Sequence, residues 1–250
     1  MIQSIQRAVQ ILDLFSLSKA QLGITEISKK LNLPKGTIQG LVQTMNQQGL
    51  LEKDEETRKY KIGAKFYELG VMWVASLEIN HKAIDPAHQL AKEAEHSVRI
   101  GILDGDTALV TLEVSPLIAP YFSYQYGPRV PLYCTAIGKS LLAFLKKEEI
   151  SAYLKRVKLI KYTENTMTKK RLLLDDLKRI KEKGYAINFA EGVMGRAGIA
   201  APIFNRDGLP IAAISIVLSP SEIKDHEVEN TLSQKIIKTA FKISQRLTWP

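Results

Sequence analysis

The sequence predicts an α+β protein in two unequal parts, and three observations carry that expectation. Three short helical patterns fill the first fifty residues, with a tight turn between the second and third. A short hairpin pattern with an acidic turn follows them. Beyond residue 80, alternating strands joined by tight turns are mixed with helices, which implies an antiparallel sheet with helices packed on it. The expected organisation is a winged helix-turn-helix over 1–62, a linking helix over 63–79 and a larger domain over 80–250.

Apolar residues at Ile2, Ile5, Val9, Leu12 and Phe15 recur at three and four residues, as an amphipathic helix requires. Thr25 then offers an N-cap hydroxyl to a second helix from Glu26 to Leu31, which turns Ile27 and Leu31 inward. Leu31-Asn32-Leu33-Pro34 reads as the turn. Asn tolerates the left-handed conformation of a helix end, and Pro is preorganised for the first turn of the helix that follows.

The third helix directs Ile38, Leu41, Val42 and Met45 to one side. Lys35, Gly36, Thr37, Gln39, Gly40, Gln43 and Thr44 lie largely on the other. In a helix-turn-helix this helix enters the major groove of double-stranded DNA. Gln there can pair with adenine, Thr can touch a thymine methyl, and Lys35 can reach a phosphate. A polar face that merely meets water fits the same pattern. Residues 50–62, LLEKDEETRKYKI, read as a wing with Arg58, Lys59 and Lys61 on its returning strand, placed to contact phosphates.

Charge adds little to this. The chain carries a net +9, but residues 146–183 hold thirteen Lys/Arg against six Asp/Glu, a net +7. Residues 1–62 hold nine against six, only +3. The excess lies away from the expected DNA contact and reads as solvated helix faces.

The helix pattern at 64–79 is too apolar for a free linker. Phe66, Leu69 and Trp73 belong to a broad surface that must bury itself against its own chain or a second copy. A second copy would give the paired reader that helix-turn-helix proteins need. Asp85-Pro86 is expected to start the next helix. Strands are expected around 97–114 with a turn at Asp104-Gly105, around Tyr185–Phe189, Gly198–Asn205 and Leu209–Leu218. Helices are expected at 136–145, within 148–182 and from Ser221.

SIQRAVQILDLF, ITEISKKLNLPKGTIQGLVQTMNQQGLLEKD and YKIGAKFYELG resemble, in order and spacing, the opening segments of the IclR family of transcription regulators. VPLYCTAIGKSLLAF, KGYAINFAEGVMG and AAPIFNRDGLPIAAISI resemble its effector domain. The resemblance implies a GAF-like effector-binding fold, an operator of double-stranded DNA, a small organic acid as effector, and a homodimer or a tetramer of two such dimers. It also implies that the backbone amides of Ala136 and Ile137 hold the acid. Where acid-binding members carry Asp, Cys and two Ser, this chain has Asn188, Gly198, Ser215 and Val217, which leaves a more neutral and roomier site. Where members commonly carry Arg in the third helix, it has Gly40. Arg196, between Gly195 and Gly198, offers either a bidentate grip on an anion or an ordinary surface charge.

Other chemistries fit poorly. Gly138-Lys139-Ser140 resembles the end of a P-loop, but Tyr133 stands where that loop needs glycine. The four histidines have no metal-ligand spacing, and there is no GxSxG elbow, so no cofactor, metal or catalytic residue is expected. The lone Cys134 reads as a buried small residue in a reduced, cytoplasmic protein. No segment suits a membrane or a signal peptide. Tyr121, Phe122, Tyr124 and Tyr126 read as core or pocket wall. Two other functions remain open: an architectural DNA-binding protein without a ligand, and a hydrolase in the larger domain.

Overall fold

The computed structural model describes residues 2–116 and 128–248, so the four aromatics at 121–126 lie outside the described residues. The chain divides into two compact units, Met1–Ser76 and Leu77–Pro250.

The first unit contains α1 (Gln3–Leu12), α2 (Ile24–Leu31), α3 (Lys35–Gln47), the hairpin β1 (Leu51–Lys53) and β2 (Tyr60–Ile62), and α4 (Lys65–Ser76). Its core is Ile11, Leu22, Ile27, Ile38, Val42, Met45, Leu51 and Tyr60. The stripe expected on α1 is displaced. Ile2, Ile5 and Val9 are exposed, and Ala8, Ile11 and Leu12 face the core, joined by Phe15 beyond the helix end.

The cap of α2 also differs from expectation. Gly23, not Thr25, is the N-cap, and its amide donates to the Glu26 carboxylate at 2.7 Å. That bond holds the exposed Glu26 carboxyl below the usual carboxylate range. Asn32 ends α2 in the left-handed conformation (φ 53°), while Pro34 stands at the N-cap of α3 rather than inside it.

In the wing, Arg58 and Lys59 sit in the turn, Arg58 with φ 58°, and of the three cations only Lys61 is on the strand. A side-chain hydrogen bond to Asp54 from the Gln21 amide and an isolated bridge between Leu22 and Tyr60 tie the wing to the chain entering α2. Gly63 is needed where the wing returns, because a Cβ there would lie 2.1 Å from the Gly49 carbonyl oxygen.

Helix α4 stops at Ser76, and Leu77 is extended, so the helix expected over 64–79 is two helices. No residue of α4 is buried; Tyr67, Leu69, Val71, Met72, Trp73 and Val74 are exposed and Phe66 is half-buried.

The second unit is built on one antiparallel sheet, ordered β5-β4-β3-β8-β7-β6. Its strands are β3 (Val98–Asp104), β4 (Thr107–Val114), β5 (Arg129–Pro131), β6 (Ala186–Phe189), β7 (Ala197–Phe204) and β8 (Pro210–Leu218). The helices are α5 (Glu78–Ala94), α6 (Ala136–Phe144), α7 (Lys147–Arg156), α8 (Lys170–Lys183), α9 (Pro220–Ile223) and α10 (His226–Thr248). Residues from α5 and α10 pack with Val98, Ile100, Ile199, Ile214 and Ile216 on one face. Residues from α6, α7 and α8 pack with Ala108, Val110, Ala186, Ala200 and Ala213 on the other. Large aliphatics on one face and alanines on the other let α6 approach the sheet closely.

Asp85-Pro86 does not begin a helix; both lie inside α5. Proline leaves the carbonyl four residues earlier without its amide. That carbonyl, Lys82, instead accepts from the Arg246 guanidinium of α10 at 3.2 Å. The short edge strand β5 was absent from the expectations, and the final helical region is α9 followed by α10 rather than one helix.

Candidate DNA interface and ligand cavity

In the first unit, Ile38, Val42 and Met45 fix α3 to the core and so fix what it presents outward. Lys35, Gly36, Gln39, Gly40, Gln43 and Thr44 are exposed, and Thr37 is half-buried. Gln39 and Gln43 stand one turn apart on one face. Thr44 donates its hydroxyl to the Gly40 carbonyl of its own helix at 3.0 Å, which leaves it an acceptor. A Cβ at Gly36 or Gly40 would meet open space, so neither glycine is required by packing within the chain. The wing cations are partnered locally, Lys61 by Glu52 at 2.9 Å and Arg58 by Glu55 at 3.5 Å.

In the second unit, a cavity of about 320 Å³ opens between the head of α6 and the sheet. Ala136, Ile137, Asn188, Arg196, Gly198, Ser215 and Val217 all line it. Register explains their meeting: Asn188 pairs with Gly198 and Gly198 with Val217, a row across β6, β7 and β8. Ser215 lies one step along β8, opposite Arg99 of β3.

Thr135 caps α6, accepting from the Gly138 amide at 3.1 Å and donating to the Pro131 carbonyl at 2.8 Å. The amides of Ala136 and Ile137, in the first turn, have no acceptor inside the helix. Gly138 has a packing reason: a Cβ there would lie 2.4 Å from the Leu132 Cα.

Two details depart from the expected site. The Asn188 side-chain oxygen Oδ1 accepts from the Glu191 backbone amide at 2.9 Å, so it shapes its own loop. Gly198 does not simply add room, because a Cβ there would lie 3.0 Å from the Ile216 carbonyl and 3.7 Å from the Ala136 Cβ. Its bareness lets α6 stand close.

Sequence patterns missed Arg99, Arg129, Thr135 and Tyr162 as lining residues. They also missed a buried charge cluster behind the cavity. Lys139 is 2% exposed and pairs with Glu191 of the β6–β7 loop at 2.6 Å and with Asp176 of α8 at 2.9 Å. Burial raises the Glu191 carboxyl, and Lys139 opposes that rise. The sole signal was a lysine in an otherwise apolar helix, AIGKSLLAF. Cys134 beside this cluster is buried, which pushes its thiol up to about 12. A thiol protonated at neutral pH is a poor nucleophile. Among the described residues, no cluster suited to a metal ion and no helix long and apolar enough to cross a membrane is present.

Family models match both units: the IclR helix-turn-helix domain over residues 4–55 and the bacterial transcriptional regulator IclR C-terminal domain over residues 71–245. The chain belongs to the IclR family of transcriptional regulators. It is 32% identical to the HTH-type transcriptional regulator XynR of Escherichia coli K12, covering 100% of this chain and 98% of that one. The IclR crystal structure from Thermotoga maritima matches all of both chains, with a TM-score of 0.77 at 28% identity. An IclR homologue of Microbacterium hydrocarbonoxydans complexed with 4-hydroxybenzoate shares the fold, with a TM-score of 0.81 at 22% identity and 98% of each chain covered. This IclR-family member thus pairs a DNA-binding helix-turn-helix with an α+β domain on an antiparallel sheet.

Proposed function

We propose that this regulator binds a two-fold symmetric operator through Gln39, Gln43 and their neighbours, and that a small organic acid in the α6 cavity changes its affinity for that operator. The observation that carries the effector half is the convergence of seven residues, distant in sequence, on one cavity at the head of α6. Helix-start amides favour an anion, and the walls from Val217, Val193 and Val130 favour an apolar body. The 4-hydroxybenzoate held by a protein of this fold is an acid of that shape. Coupling requires that the acid bind the DNA-competent and incompetent arrangements unequally.

The division of labour is residues 1–62 for DNA, 63–79 for association and 80–250 for the effector. The exposed apolar face of α4 supports a homodimer, with Phe66, Leu69 and Trp73 at its seam, and two dimers can pair as a tetramer. The protein acts in the cytoplasm and catalyses no reaction. Trp73→Glu would bury an unpaired carboxylate at the seam and is expected to sediment as a monomer.

Footprinting on the DNA upstream of its own gene, with and without candidate carboxylic acids, tests the whole reading. Protection of a symmetric site that one acid alters is the expected result. That acid, at a hundred times its dissociation constant, stabilises the fold by about 2.7 kcal/mol. A footprint that no acid alters, with no thermal shift, favours an architectural role instead.

A further inference from the structure

We propose that the effector is a dianion: a short-chain organic acid whose second acid group is gripped by Arg99. This rests on the reading of the α6 cavity as the effector site. Arg99, Arg129 and Arg196 line that cavity, and no carboxylate is among its described lining residues. Arg129 is held at a half-exposed position by Asp104 at 2.6 Å. Arg99 lies deeper, its side chain 17% exposed, paired with Glu113 at 3.1 Å.

The sheet is locally altered to place this pair. Ile100 of β3 faces Leu112 of β4, but Gly101 faces Val110, so Thr111 is an extra residue on β4. Strict alternation from Val110, which packs on the α6 side, would send Glu113 to the opposite face, among the aliphatics of α5 and α10. The bulge shifts the alternation by one, so Leu112 and Val114 join those aliphatics and Glu113 turns with Arg99 toward the cavity. Asn80 of α5 fastens the bulge, accepting from the Thr111 hydroxyl at 2.8 Å.

A planar guanidinium serves more than one carboxylate at a time, so Arg99 can keep Glu113 and take a ligand oxygen. Ser215, directly opposite Arg99 and 5% exposed, supplies a hydroxyl on the same floor. The head of α6 stands close over this floor: a Cβ at Gly198 would lie 3.7 Å from the Ala136 Cβ, and one at Gly101, two residues along β3 from Arg99, would lie 2.8 Å from the Ile137 side chain. Two residues of a strand span about 6.6 Å, a gap that a diacid of four to six carbons bridges. One carboxylate meets the Ala136 and Ile137 amides, the other meets Arg99, and the chain between them lies over Val217.

Calorimetric titration of the full-length protein decides this, with succinate, glutarate and adipate each set against the monoacid of equal length, butyrate, valerate or hexanoate. At least one diacid is expected to bind tenfold or more tightly than its monoacid. Arg99→Gln should remove that preference, bringing the diacid-to-monoacid affinity ratio to about one. The double variant Arg99→Gln/Glu113→Gln should do the same without stranding a buried carboxylate, and so covers the case in which the single variant folds poorly. Equal binding of diacid and monoacid, or a preference that survives loss of Arg99, overturns the dianion. Val217→Phe separates the two levels. If monoacids bind and this variant blocks them while diacids gain nothing, the cavity reading stands and the dianion falls. If no acid binds the wild type, both fall.

Discussion

The two units present function in opposite ways. The proposed DNA face of the first lies on a single thirteen-residue helix, with polar side chains outward and Ile38, Val42 and Met45 inward. The cavity of the second is assembled from α6, the β6–β7 loop and residues of all six strands, and much of its lining is small residues or backbone. A helix face exposes its chemistry to sequence periodicity, whereas a sheet floor reveals its chemistry only once the register is known. The same contrast governs tolerance: a substitution on α3 changes what touches DNA, while one behind the cavity changes whether the cavity exists.

The largest break in that comparison is expected at Lys139. Replacing it with Ala leaves Glu191 buried with no cation, and removing one partner of a buried pair costs about 3–5 kcal/mol. Equilibrium denaturation followed by a probe in each unit should show the second unit losing that stability and the first unaffected. Lys139→Met with Glu191→Gln and Asp176→Asn removes the charges together and should recover most of it. If Lys139→Ala costs less than 1 kcal/mol, the cluster is wetter than its 2% and 5% side-chain exposures indicate.

Next in size is Gln43→Ala, which should cost about 1–3 kcal/mol on the operator and relax preference at one base pair. Lys61→Ala instead should weaken all sequences alike and reduce the salt slope by about one. Its pairing with Glu52 makes it a phosphate contact only if DNA displaces that carboxylate. Binding across single-base operator variants distinguishes the two. Uniform weakening by Gln43→Ala would make it a backbone contact as well.

How far the sequence was legible follows the same divide. The three helices, the wing and the order of the large strands could be read from period and turn residues. Ends were less secure: Thr25 and Asp85-Pro86 carry strong capping chemistry, yet Gly23 with Glu26 caps α2 and Pro86 lies inside α5. At α2 the capping-box spacing Gly23-x-x-Glu26 prevails over the Thr25 hydroxyl, whereas at Pro86 a partner outside the local pattern decides, Arg246 taking the orphaned Lys82 carbonyl. Six cavity residues were placed by family likeness and Arg196 by the chemistry of its guanidinium, and the seven share one cavity in the fold, but Arg99 and Lys139 were missed. Both are charges within apolar runs, and their partners lie fourteen to fifty-two residues away.

A smaller effect is expected at Glu222, which caps α9. The Ser219 hydroxyl and amide, then His96, hold its carboxyl down to about 2 from an ordinary 4.5. A depressed carboxylate stabilises the fold fully above its unfolded value and loses that contribution as pH falls toward the folded one. The stability gap between wild type and Glu222→Gln should be flat above pH 4.5 and close as pH falls toward 2. A gap independent of pH across that window would assign the effect to packing.

The finest test concerns Gly40, because there the exposed helix and the packed cavity differ most in what a glycine means. Gly198 and Gly138 are bare because another chain segment occupies the space a Cβ would need; at Gly40 that space is open. Packing therefore does not explain Gly40, and a glycine inside a helix costs about 0.8–1 kcal/mol relative to Ala. Gly40→Ala should raise the stability of the first unit by that amount, measured by denaturation. If the glycine serves close approach of the helix backbone to DNA, the same variant should bind its operator more weakly although it is more stable. If operator affinity is unchanged or improved, Gly40 is simply a lost contact, and Gly40→Arg should then tighten binding with the added salt dependence of one phosphate.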